Sequence, residues 1–134
     1  TAIIMVTRFD NDTGTIVQNF AKEFAEKGID AKIVELDTAE NGDKLGLQGG
    51  RIFFYNDKEN WWSRGGGVET TPIGDPCGPD SEVFYDFGED KQDVAIFGQS
   101  HPASDGARFM EIGNQVFMQY NYVKNKKFVV SMVF

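Results

Sequence analysis

The sequence predicts an α/β fold: a flavodoxin-like three-layer domain on an open, mainly parallel sheet, with an irregular, hairpin-containing insertion at about residues 38–91. Two observations predict it. An apolar run opens the chain and leads into an amphipathic helical stretch and a second apolar run, and a similar alternation of strand and helix patterns returns after residue 92. The 134 residues suit one domain, 1–134, and 40% hydrophobic with 13% aromatic residues supplies a single core.

Ala2-Ile3-Ile4-Met5-Val6-Thr7 is continuously apolar until its last residue, as a strand buried on both faces would be. Asp12 or Thr13 can cap the helix that follows, in which Ile16, Phe20 and Phe24 recur every four residues and Gly28 ends the pattern. Ala31 to Leu36 reads as the next strand, and the crossover rule makes it a parallel neighbour of the first. From Asp37 to Lys91 the periodicity weakens, because ten of the fifteen glycines and three of the four prolines fall there. Arg51 to Tyr55 and Glu82 to Phe87 are the strand candidates in that stretch, separated by Trp61-Trp62 and Gly65-Gly66-Gly67. Asp93 to Gly98 reads as a buried strand. Residues 105–122 read as a helix with Phe109, Ile112, Val116 and Tyr120 on one stripe, and 127–134 as the last strand.

Composition narrows the function. A formal charge of −8 opposes the phosphate backbone, so duplex nucleic acid is not an expected partner, while a small metabolite is. No apolar run approaches the ~20 residues that span a bilayer, and no basic start leads into a signal stretch, so the expectation is no membrane and a cytoplasmic location. Cys77 is the only cysteine and excludes an intramolecular disulfide; it reads as an incidental loop thiol. His101, the only histidine, excludes a multi-histidine metal site, and no metal is expected.

Ligands of open parallel sheets lie beyond the carboxyl ends of the strands. That places interest on the loop at residues 7–15 and on the one at residues 99–111. The second sets Asp105 and Glu111 six residues apart at the start of the expected helix, with Gly106 allowing close approach of a ligand and Gly113 close packing of the helix. Read plainly, Asp105 is an N-cap and Glu111 a solvated helix residue.

The segment carrying Asp105, Glu111 and Gly113, entered from a strand and followed by Lys126-Lys127 and a strand, resembles the nucleoside 2-deoxyribosyltransferase family. The resemblance covers roughly the last 45 residues and implies cleavage or transfer of an N-glycosidic bond. Glu111 would be the nucleophile, Asp105 its companion carboxylate, and Asp86 the proton donor, its aromatic neighbours Phe84, Tyr85 and Phe87 raising its pKa. Thr7, Phe9, Gln48, Gly98, Ser100 and Gly106 would line the substrate site. The resemblance implies a nucleoside or nucleotide partner, a homo-oligomer and no cofactor. The middle segment departs from the family, and Phe9 lacks the hydroxyl expected near the first strand.

Two other readings compete. Thr13-Gly14-Thr15 resembles the phosphate loop of flavodoxins, and Trp61 or Trp62 could stack on FMN, although Asp10 and Asp12 would crowd a phosphate. A non-catalytic domain binding a nucleotide or partner through the tryptophan and glycine loop is the other.

Overall fold

The apolar run at the start of the chain forms β1 (Ala2–Thr7) and the amphipathic stretch after it forms α1 (Asp12–Glu26). Both belong to a computed structural model that describes residues 2–7, 12–91, 98–104, 106–124 and 127–130. Gly28 ends α1 as its position predicts. At φ 72° it lets the Ile29 N–H reach back to the Phe24 carbonyl and its own N–H to that of Ala25, each at 2.9 Å. The chain continues through β2 (Ile33–Asp37), α2 (Ala39–Leu45), β3 (Ile52–Tyr55) and β4 (Trp61–Ser63). It ends in β5 (Pro76–Asp86), a 3-10 turn (Glu89–Lys91), β6 (Phe109–Val116), β7 (Tyr120–Lys124) and β8 (Lys127–Val130). Thr38 caps α2, its hydroxyl accepting the Asn41 N–H at 3.2 Å.

The sheet is not the open parallel one expected. The strands β2, β3 and β1 are parallel in that order, so β3 lies between the pair expected to be neighbours. Among the described residues every other pairing is antiparallel. The eleven-residue β5 is the hub. Its later half runs between β1 and β6, and its first residues pair with β4 and β7. The molecule is therefore a mixed α/β domain whose sheet is mostly antiparallel, and the flavodoxin-like architecture is overturned.

Alternation along β3 explains the layers. Ile52 and Phe54 face α1, where Phe20, Ala21 and Phe24 pack with Ala31 and Val83. Phe53 and Tyr55 face the other side and form a cluster with Val34, Leu36 and Phe84, closed by Leu47, Ala103 and Phe109. The strands expected at residues 51–55 and 82–87 are found, the second extended back to Pro76. Trp61 and Trp62 lie on β4, where Trp61 stacks on Tyr120 with ring centroids 6.1 Å apart.

The helix expected at residues 105–122 is instead β6 and β7. Its stripe of Phe109, Ile112, Val116 and Tyr120 has helical spacing, but the same stretch is rich in β-branched and aromatic residues that favour pleated surfaces. The antiparallel pairing with β5 decides between the two. The expected strand at 93–98 lies outside the described residues except for Gly98, and the last strand begins at Lys127 as expected. Among the described residues no helix is long and apolar enough to cross a membrane.

Candidate functional site

On one face of β5, Asp80 and Glu82 project together, because residues two apart on a strand share a side. Across the antiparallel pairing stand Val116, opposite Asp80, and Asn114, opposite Glu82; after a register shift Glu111 stands opposite Phe84. The Asn114 amide donates to Glu82 Oε1 at 3.2 Å. A further amide reaches this face from outside the pair. Asn60, fully buried in the connection between β3 and β4, donates through Nδ2 to Asp80 Oδ1 at 3.1 Å.

The electrostatics of this face are unusual. Burial pushes the Glu82 carboxyl up to about 7, and the neighbouring charges of Asp80, Glu111 and Glu59 add to the shift. Asp80 is also raised, by burial first and by Glu111, against the lowering effect of its amide partners Asn60 and Asn114. Glu59 follows the same direction, again through burial, with Lys58 opposing it. None of the ion pairs formed among the described residues engages Asp80, Glu82 or Glu111. The buried Asn60 Oδ1 has no hydrogen-bond partner. A buried acceptor in that condition costs about 1–3 kcal/mol. The face is thus a set of acceptors short of donors. Among the described residues no group of three His, Cys, Asp or Glu side chains could hold a metal ion.

The residues singled out from sequence are scattered by comparison. Asp105 and Phe9 lie outside the described residues. Glu111 is an exposed strand residue of β6 at the edge of the acidic face, not a helix residue. Asp86 ends β5 in a two-pronged pair with Arg108, at 2.8 and 3.0 Å, and also accepts the Gly88 N–H at 2.8 Å. Burial alone would raise its pKa, but those bonds hold the carboxyl below its usual range, opposite to the shift a proton donor requires. Thr7 ends β1 opposite Tyr55, and Gln48 sits in a turn at φ 48° where its carbonyl accepts from Lys32. Gly98 and Ser100 lie in the loop beside α2, Ser100 buried, and Gly106 precedes β6. Cys77 is a fully buried β5 residue and not a loop thiol; burial and then Asp75 push its pKa up. The reading from sequence passed over Asn60, Asp80, Glu82 and Asn114. The signal available for the acids was Asp80-Ser81-Glu82, two carboxylates at strand spacing running into the strand candidate that began at Glu82.

Comparison with known proteins gives a consistent answer. The family model described as tRNA synthetases class II (A) matches residues 20–130. The alanine–tRNA ligase of Lactobacillus helveticus (strain DPC 4571) is 38% identical over 96 residues, which is 71% of this chain and 10% of that protein. That of Ehrlichia canis (strain Jake) is 45% identical over 76 residues, 57% of this chain and 7% of that protein. That of Campylobacter jejuni subsp. jejuni serotype O:23/36 (strain 81-176) is 43% identical over 74 residues, 55% of this chain and 8% of that protein. The chain therefore spans a tenth or less of the length of these relatives. These matches overturn the resemblance to the nucleoside 2-deoxyribosyltransferases and, with it, transfer or hydrolysis of an N-glycosidic bond. The spacing of Asp105 and Glu111 had been read on a helix, and Glu111 stands on a strand.

Proposed function

Since the chain belongs to the family of class II (A) tRNA synthetases, we propose that it forms the part of an alanine–tRNA ligase that holds the amino acid. The observation carrying this reading is the acceptor-rich face of β5 and β6, with the unpartnered Asn60 Oδ1 at its buried end. Alanine presents an α-ammonium with three N–H donors. Glu82 and Asp80 supply acceptors for it, Asn60 holding the Asp80 carboxylate from the buried side, and Val116 lies on the same face to meet a methyl group. Repulsion from Asp80, Glu82 and Glu111 turns the alanine carboxylate outward, where a ligase must activate it and join it to a hydroxyl. The acidic character of the chain supports the same division of labour, because contacts to the phosphates of a tRNA need cations that this segment, at −8, does not offer in surplus.

The test is a calorimetric titration of the chain with L-alanine, propionate and ethylamine. L-Alanine and ethylamine bind, propionate does not, and Glu82→Gln or Asp80→Asn weakens alanine by about tenfold to a hundredfold, the worth of a hydrogen bond to a charged group. A chain that takes up no alanine, or binds it equally well after both substitutions, would sink the reading.

A further inference from the structure

His101 is fully buried and belongs to no part of the acidic face, yet both of its ring nitrogens are engaged. Asp43 Oδ1 lies 3.1 Å from Nε2 and, as a carboxylate, can only accept, so Nε2 carries the proton. Nδ1 is then the acceptor for the Tyr55 hydroxyl at 2.7 Å. The imidazole thus ties α2, which carries Asp43, to the last residue of β3.

The surroundings leave this tie little slack. A Cβ at Gly42 would overlap the His101 ring, and one at Gly98 would lie 2.7 Å from the Asp43 carbonyl oxygen. The Gln99 N–H donates to that same carbonyl at 2.8 Å, so the loop is fastened to α2 just ahead of the bridge. Ser104 closes the loop on itself, its N–H donating to the His101 carbonyl at 2.9 Å and its hydroxyl accepting the His101 N–H at 3.1 Å.

What Tyr55 holds in turn is the turn directly after it. Asn56 organises that turn: its carbonyl accepts the N–H groups of Glu59 and Asn60 at 3.2 and 3.1 Å, and its side chain accepts the Lys58 N–H at 3.0 Å. The turn delivers Asn60, whose carbonyl takes the Asp80 N–H at 3.4 Å and whose amide donates to the Asp80 carboxylate at 3.1 Å. Hydrogen bonds thus run from Asp43 through His101 to Tyr55, and the covalent chain carries on from there into the Asn56 turn, itself held by the Asn56 N–H on the Asp37 carbonyl at 2.7 Å, and so to Asn60.

We propose that His101 is a positioning residue, which, by bridging Asp43 and Tyr55, fixes the carboxyl end of β3 and so sets the Asn60 amide against Asp80 on the binding face. Its consequence for alanine rests on the function proposed above; its consequence for Asn60 does not.

The full chain, labelled with nitrogen-15, separates the two. The Asn60 side-chain amide, assigned by its loss in Asn60→Ala, is followed in Tyr55→Phe, His101→Leu and His101→Gln. In the first two variants its resonances shift and its hydrogen exchange quickens by about tenfold, while backbone amides of α1 keep their protection; His101→Gln, with an acceptor and a donor, recovers part of the effect. Should the histidine variants fail to fold, Asp43→Ala removes the other anchor at a side chain 41% exposed, and the same Asn60 response is expected. An Asn60 signal unchanged in Tyr55→Phe and Asp43→Ala overturns the proposal. In alanine titrations, His101→Leu costs affinity in the wild-type background and costs nothing further when Asn60 is already alanine. Additive losses also overturn it. If Asn60 responds as expected and the wild-type chain takes up no alanine, the positioning role stands and the alanine reading falls.

Discussion

Glu82 is a carboxyl that the fold would rather keep protonated near neutrality. Its pKa rises from an ordinary 4.5 to about 7, so the folded chain binds a proton that the unfolded chain has released over that interval. The cost to the fold is nil below about pH 4.5, grows as pH climbs from there to 7, and levels off above that. Glu82→Gln is accordingly expected to gain about 1 kcal/mol over the wild type at pH 8, the shift being discounted for solvent screening of a half-buried side chain, and to match it near pH 4.5, as read from urea midpoints. Equal stabilities at both pH values would remove the claim. The proposed alanine site predicts the opposite trend for affinity: the ammonium needs the ionised carboxylate, so affinity is expected to fall by about tenfold per pH unit below 7, where binding releases one proton, and to level off above it. Calorimetry in two buffers of different ionisation heat measures that proton. A flat profile between pH 5.5 and 8 would contradict it. This residue could be read from sequence only after its strand was known, since Asp80-Ser81-Glu82 separates its acids by one position and that spacing has meaning on a pleat and little on a turn.

At the level of elements, β5 and β6 are joined by an ion pair with little access to water. The Arg108 and Asp86 side chains are 10% and 11% exposed and meet twice, and Arg108 also lies 5.1 Å from the Phe109 ring centre. Breaking one side removes the main partner of a buried charge, which costs up to about 3–5 kcal/mol, although Asp86 keeps the Gly88 N–H; replacing both with apolar groups can be neutral. Arg108→Met is expected to lose most of that amount in chemical denaturation, and Arg108→Met with Asp86→Leu to recover the greater part of it. A double variant as unstable as the single one would mean that the pair is not the clamp. The same two strands show why local pattern misled. Phe109, Ile112 and Val116 recur at helical spacing, and β6 lacks the strict alternation that marks a strand with one buried face, because its exposed residues outnumber its half-buried ones. α1 was legible for the opposite reason. Among the described side chains it packs Phe20, Ala21 and Phe24 on the sheet, and it ends at a glycine whose left-handed backbone does what its position predicts.

Across the whole molecule, charge sets the choice of partners. From a sequence pI near 4.5 and a charge of −8 we infer that this chain does not grip a polyphosphate unaided. Mixed with tRNA at physiological salt, the chain is expected to leave it unshifted in a native gel; a retarded band at that salt would show a basic surface that the composition conceals. Of the architecture, the sequence disclosed the β1–α1–β2 opening and the strands around Phe53 and Phe84, since each is announced within a window of a dozen residues. It did not disclose how they join. Whether β5 runs with or against β1 depends on partners some eighty residues apart, and no local periodicity encodes a direction. That same strand governs how the chain must fold. Its neighbours come from residues 2–6, 61–63, 109–116 and 120–121, so its ladder closes only after loops of many lengths have been drawn together. Assembly is thus late and cooperative, with refolding in the slower range of milliseconds to seconds typical of non-local β pairing, and a nascent chain released before residue 109 leaves the hub open along one whole flank.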